Sequence, residues 1–297
     1  AIAFTSLFIL FLLLMVGLKF WLAARQIRHV ARNAEAVPTQ FAGRVSLAAH
    51  RKAAAYTIAR QRLGMLESAA GVGLLVALTL LGGVQAIAAT VAAGLGSGLA
   101  AQVAIVACVA LVLGAADLPF DWYRQFRVEE KFGFNRMTPR LFLIDLLKSV
   151  LIAALLGLPL LALVLWLMEA AGAYWWLYAW AVWIGFNAMV LVLYPTVIAP
   201  LFNRFEPLAD GDLAGRISAL LARTGFSSRG VFVMDGSRRS AHGNAYFTGL
   251  GRAKRIVFFD TLLQRLQPSE IEAVLAHELG HFKRRHIAKR LAFSFFS

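Results

Sequence analysis

The sequence predicts a mainly α-helical protein that crosses a membrane several times and carries a small α+β domain after the last complete span. The chain of 297 residues is 60% hydrophobic and only 15% charged, a balance unsuited to a soluble domain of this size. Charged residues are missing altogether from 68–116, 149–168 and 170–203, and a bilayer core requires about 20 apolar residues per helix. From Leu201 the apolar blocks give way to short β-branched and aromatic runs between glycines, the pattern of strands.

Taken in order, five complete spans are expected, at about 1–24, 68–90, 100–120, 147–168 and 174–199. The run 68–116 holds two of them, with the turn at Ala92–Gly98. Lys19 reaches the interface from a helix end. The first run lacks the basic head of a cleaved signal peptide, and Lys19 and Trp21 suit an interface. Residues 1–200 therefore read as a membrane domain, 201–290 as a domain outside the bilayer, and 291–297 as the start of a sixth span. The chain opens on Ala and closes inside an apolar run, so it reads as a piece of a longer protein.

The net charge is +14, and it is distributed unevenly. Eight Lys or Arg fall in Arg25–Arg62, six in Arg124–Lys148 and fifteen from Leu201 onward. The loops near 92–98 and 169–174 have none. The positive-inside rule puts the three basic segments in the cytoplasm and the N-terminus outside. Topology accounts for the charge, so no nucleic-acid partner is expected. The single Cys108 lies within a span and packs there.

Within the segment outside the bilayer, Leu208–Arg223 has helical spacing. Gly230–Gly236, Asn244–Gly249 and Arg255–Asp260 read as strands, the last two forming a hairpin. Pro268 opens a further helix, with Glu270 and Glu272 near its positive end.

That helix carries "HELGH", His277 to His281. Residues four apart share a helix face, so His277 and His281 can turn ring nitrogens to one zinc ion. Glu278 sits about 100° round the helix, beside the metal rather than on it. There its carboxylate can take a proton from water and return it to the leaving amine. One Zn2+ per chain is expected. A catalytic zinc takes three protein ligands and a water. His286 faces the wrong way on a continuing helix, and the position of a metzincin-type third histidine is Ile287. The remaining candidates are Asp260 and a Glu beyond Ser297.

Long ordered stretches carry a resemblance. "SRRSAHGNAYFTGLGRAKRIVFFDTLL" followed by "EAVLAHELGHFKRRH", with "LPFDWYRQFRVEEKFGFNRMTP" and "YPTVIAPLFNRFEPL" upstream, resemble the type I CAAX prenyl proteases, integral-membrane zinc endopeptidases. The resemblance covers nearly the whole chain. It implies a bundle of membrane helices enclosing a chamber, with a zinc-peptidase domain at the cytoplasmic side. It implies zinc held by His277, His281 and a downstream Glu, with Glu278 catalytic. The partners it implies are the lipid bilayer and a peptide or protein substrate, in that family a prenylated one. Strand Asn244–Gly249, with Tyr246 and Phe247, is then the rail along which an extended substrate pairs. His242 and Asn244 become hydrogen-bond donors to substrate or oxyanion, against an alternative as strand-entry residues.

The expected function is membrane-embedded proteolysis near the cytoplasmic face, on CAAX-type proteins or, in a bacterium, on other membrane-associated polypeptides. The Ala- and Arg-rich composition points to a bacterial inner membrane; a eukaryotic chain would sit in the endoplasmic reticulum. Five spans before the motif disfavour a heat-shock-type membrane metallopeptidase, and "FKRRH" after it disfavours a site-2-type protease. The alternative of another class is a catalytically inactive membrane scaffold or partner-binding relative.

Overall fold

A computed structural model describes residues 2–209, 211–226, 230–248 and 255–283. The chain forms two compact units, Ala1–Asn135 and Arg136–Ser297.

In the first unit, helix α1 (Ile2–Arg32) packs along α2 (Leu47–Thr79). Ser46 caps α2 by accepting the N–H of Ala49 at 3.2 Å, which satisfies one of the first-turn donors. After a break comes α3 (Gly83–Leu95), then α4 (Leu99–Tyr123), which continues as a π-helical segment, Arg124–Glu129. The expected span 68–90 is therefore not one helix. Gly82 turns the chain at φ +80°, and a Cβ at Gly83 would lie 2.8 Å from the Ala77 carbonyl oxygen. That backbone approach closes the turn and admits only glycine. Helix α2 instead starts at Leu47, within the basic stretch assigned to a loop.

Leu63, Val128 and Phe132 form the buried centre of this unit. Tyr56 meets Phe132 edge-on and Phe134 at a tilt, with centroids 5.2 and 4.9 Å away, and donates its hydroxyl to Glu129 at 2.6 Å. Asn135 donates to Glu130 at 2.7 Å. These acids thus hold the fold of their own loop.

The second unit opens with α5 (Pro139–Ala170), capped by Thr138 and begun by Pro139, a residue suited to the first helical position. Helix α6 (Trp175–Leu193) follows, then a π-helical segment, Tyr194–Ile198, and a short α7 (Ala199–Phe202). Asn187 bonds back to the Trp183 carbonyl at 2.8 Å within α6.

Five helices are long and apolar enough to cross a membrane among the described residues. They leave large apolar side chains uncovered, Leu13 at 65% and Leu155 at 74% exposure. A bilayer covers such surfaces, and helices satisfy their own backbone there. The protein is a multi-pass integral membrane protein.

Beyond α7 lie β1 (Phe205–Pro207), α8 (Asp212–Thr224), β2 (Val231–Met234), β3 (Ala245–Thr248), β4 (Arg255–Phe259), α9 (Asp260–Leu263) and α10 (Pro268–Lys283). The sheet runs β1-β2-β4-β3. β2 and β4 are parallel, with Val231 opposite Ile256; β3 and β4 form the expected antiparallel hairpin, with Ala245 opposite Phe258. The core joins Ile217 and Leu220 of α8, Ile256 and Phe258 of β4, and Ile271, Leu275 and Leu279 of α10. The spacing of the last three, four residues apart, gives α10 one apolar stripe.

Candidate metal centre and substrate strand

Helix α10 starts where Glu270 reaches back to accept the Gln267 N–H at 2.9 Å, half of a capping box. Its stripe Ile271–Leu275–Leu279 is at most 3% exposed. His277 lies two residues from both Leu275 and Leu279, about 200° round the helix from each, and it is exposed. The core therefore fixes the rotation of α10 and turns the His277 position outward. His281 falls one turn further along the same face, within the helix as described. The side chains of Glu278 and His281, and all of His286, lie outside the described residues. Two imidazole positions at this spacing, one shown facing outward, fit a divalent ion that takes nitrogen ligands in tetrahedral geometry.

Helix α10 packs against β3, the last strand of the sheet. Side chains alternate along β3. Phe247 turns to the core, edge-on to Phe226 at 5.3 Å. Tyr246 turns to the other face, edge-on to Phe259 at 6.2 Å. Burial, and next to it the nearby Tyr194, push the Tyr246 phenol up to about 12. Neither ring lies along the strand's outer edge; what β3 offers there is backbone. The Phe259 N–H donates to the Asn244 carbonyl at 2.9 Å. In an antiparallel pair such bonded positions alternate. Tyr246 and Thr248 thus address β4, whereas the backbone groups of Ala245 and Phe247 point to the outer edge.

His242 and Asn244 are exposed at the entry to β3. The Asn244 side chain accepts the Ala245 N–H at 2.9 Å, and the His242 carbonyl accepts the Thr261 hydroxyl at 2.8 Å. Both residues shape the strand entry. Asp260, a candidate ligand from the sequence, accepts the N–H of Ser237 at 2.8 Å and of Thr261 at 2.7 Å, and also the Ser237 hydroxyl. Three donors hold its carboxylate, which ties Ser237 to the start of α9. Sequence reasoning missed the role of Arg239, which is bound to Asp145 of α5.

Comparisons with known proteins agree with this architecture. Residues 26–204 match the family described as the CAAX prenyl protease N-terminal region with five membrane helices, and residues 207–296 match peptidase family M48. The chain belongs to the CAAX prenyl protease family of M48 membrane metallopeptidases. It is 45% identical over 177 residues to a CAAX prenyl protease 1 homolog of Dictyostelium discoideum, covering 59% of this chain and 41% of that protein. It is 44% identical over 181 residues to CAAX prenyl protease 1 of Saccharomyces cerevisiae, covering 60% and 40%. The crystal structure of S. mikatae Ste24p aligns with a TM-score of 0.88 at 30% identity, over 96% of this chain and 67% of that one. The chain thus spans about two fifths of the length of the curated relatives it matches.

Proposed function

We propose that this chain carries the catalytic helix of a membrane-embedded zinc endopeptidase. It acts near the cytoplasmic face and removes the C-terminal tripeptide of CAAX-type prenylated proteins. The observation that carries this reading is the outward-facing His277 on a helix whose opposite stripe is sealed in the core, packed beside edge strand β3. The substrate class comes from the relatives that bear the name CAAX prenyl protease. The orientation comes from the three basic segments, which belong on the cytoplasmic side.

In this reading His277 and His281 hold the ion, with the third ligand, a carboxylate, supplied by a Glu beyond Ser297. Zinc, when bound, supplies Lewis-acid polarisation of a carbonyl and acidifies a water. The remaining work falls to the chain. Substrate adds to β3 as a further strand, paired with the outward backbone groups of Ala245 and Phe247. Extended pairing brings one carbonyl into register with the face of α10. The Glu278 carboxylate takes a proton from the attacking water and gives it to the leaving amine. Asn244 and His242, at the head of the strand, donate to substrate or to the oxygen that gains charge.

The test is cleavage of a farnesylated peptide with a CAAX end by the intact protein in nanodiscs, followed by mass spectrometry. Release of the terminal tripeptide, absent with Glu278→Ala, is expected. No release, or equal release by the variant, overturns the reading.

A further inference from the structure

The side chain of Arg239 sits in a cage of acceptors drawn from the membrane-helix end of its unit. Its Nε donates to Asp145 Oδ2 at 2.7 Å and one terminal nitrogen donates to Asp145 Oδ1 at 3.1 Å. That same nitrogen donates to the Phe202 carbonyl at 2.6 Å, and the other donates to Asn203 Oδ1 at 2.8 Å. Its own carbonyl accepts the Arg136 N–H at 3.2 Å. The pair is largely withdrawn from solvent, Arg239 at 18% and Asp145 at 14% side-chain exposure. A guanidinium supplies a planar fork that a lysine cannot reproduce. Lys148, one turn along α5 from Asp145, adds a bond to the Leu201 carbonyl at 2.7 Å.

Arg239 also stands in the middle of a segment tied down on both sides. Two residues before it, Ser237 is held by Asp260. Three residues after it, His242 is held by Thr261. Asn244 is then bonded to Phe259, and β3 begins. A short, bonded segment transmits the place of Arg239 directly to the strand.

We infer that Arg239 and Asp145 are positioning residues: their ion pair fixes the His242–Asn244 segment, and with it the edge of β3, to helix α5. The pair sets where a peptide lies relative to the membrane without touching it. This inference rests on the reading of β3 as the substrate strand.

Hydrogen exchange of the intact protein in nanodiscs, on Asp145→Asn, Arg239→Gln and Arg239→Lys, tests it without requiring activity. Amides in 240–248 are expected to exchange at least about tenfold faster in the Asn and Gln variants, a local opening, while α8 keeps its protection. Arg239→Lys should restore part of it. With the farnesylated peptide, KM should rise more than kcat falls. Unchanged exchange in 240–248 overturns the inference. So does loosening of α8 to the same extent, which assigns the pair to general stability. A wild type that cleaves nothing would sink the proposed function, and the exchange result would still decide whether the pair positions the strand.

Discussion

Asp260 binds Ser237 twice, through the Ser237 N–H at 2.8 Å and through its hydroxyl. The acid that opens α9 also accepts the Thr261 N–H at 2.7 Å. It thereby staples the end of β4 to the segment leading to β3. A carboxylate engaged in this way ties two segments of the domain together.

Asp260→Asn should therefore destabilise the peptidase domain by about 1–2 kcal/mol, the range for a lost cap and a charge-assisted bond. Metal content should stay at the wild-type level. Thermal unfolding and elemental analysis of the same sample check both halves.

Phe258 is fully buried between α8 and α10. Phe258→Ala should cost about 3–5 kcal/mol through lost burial and the cavity it leaves. A large fall in Tm of the peptidase domain, or failure to accumulate, is the expected result.

Gly236 lies against the Phe259 ring; an added Cβ would come within 2.6 Å of it. Gly236→Ala should push that ring toward Tyr246, its partner at 6.2 Å. The expected cost is about 1–3 kcal/mol for overpacking, read as a lower Tm.

Tyr246 holds its proton more tightly in the folded protein, at about 12, than the ordinary value near 10. A raised folded pKa leaves stability intact below the unfolded value and erodes it as pH climbs toward the folded one. Stability should fall between about pH 10 and 12, and Tyr246→Phe should reduce that fall. Denaturation at pH 9 and pH 11.5 compares the two.

Much of this was legible in the sequence because the signals were long or chemically specific. Uncharged runs such as 149–168 announce a bilayer, and "HELGH" lies on the helix expected from Pro268 onward, α10. Strands 231–234, 245–248 and 255–259 fell within the expected runs. Strand β1 was not foreseen, since "FEP" has no alternation and gains its pairing only from β2; Pro207 is tolerated on an edge strand. The break at Gly82–Gly83 hid inside a run apolar enough to be read as one span. The Asp145–Arg239 pair could not be read, because the two residues lie 94 positions apart and only the fold joins them.

The central claim is that His277 and His281 grip one zinc ion while Glu278 handles the proton. Its most direct test is elemental analysis of the purified intact protein beside His277→Ala and Glu278→Ala. The account predicts about one zinc per chain in the wild type and in Glu278→Ala, and none in His277→Ala. Stoichiometric zinc retained by His277→Ala would contradict it.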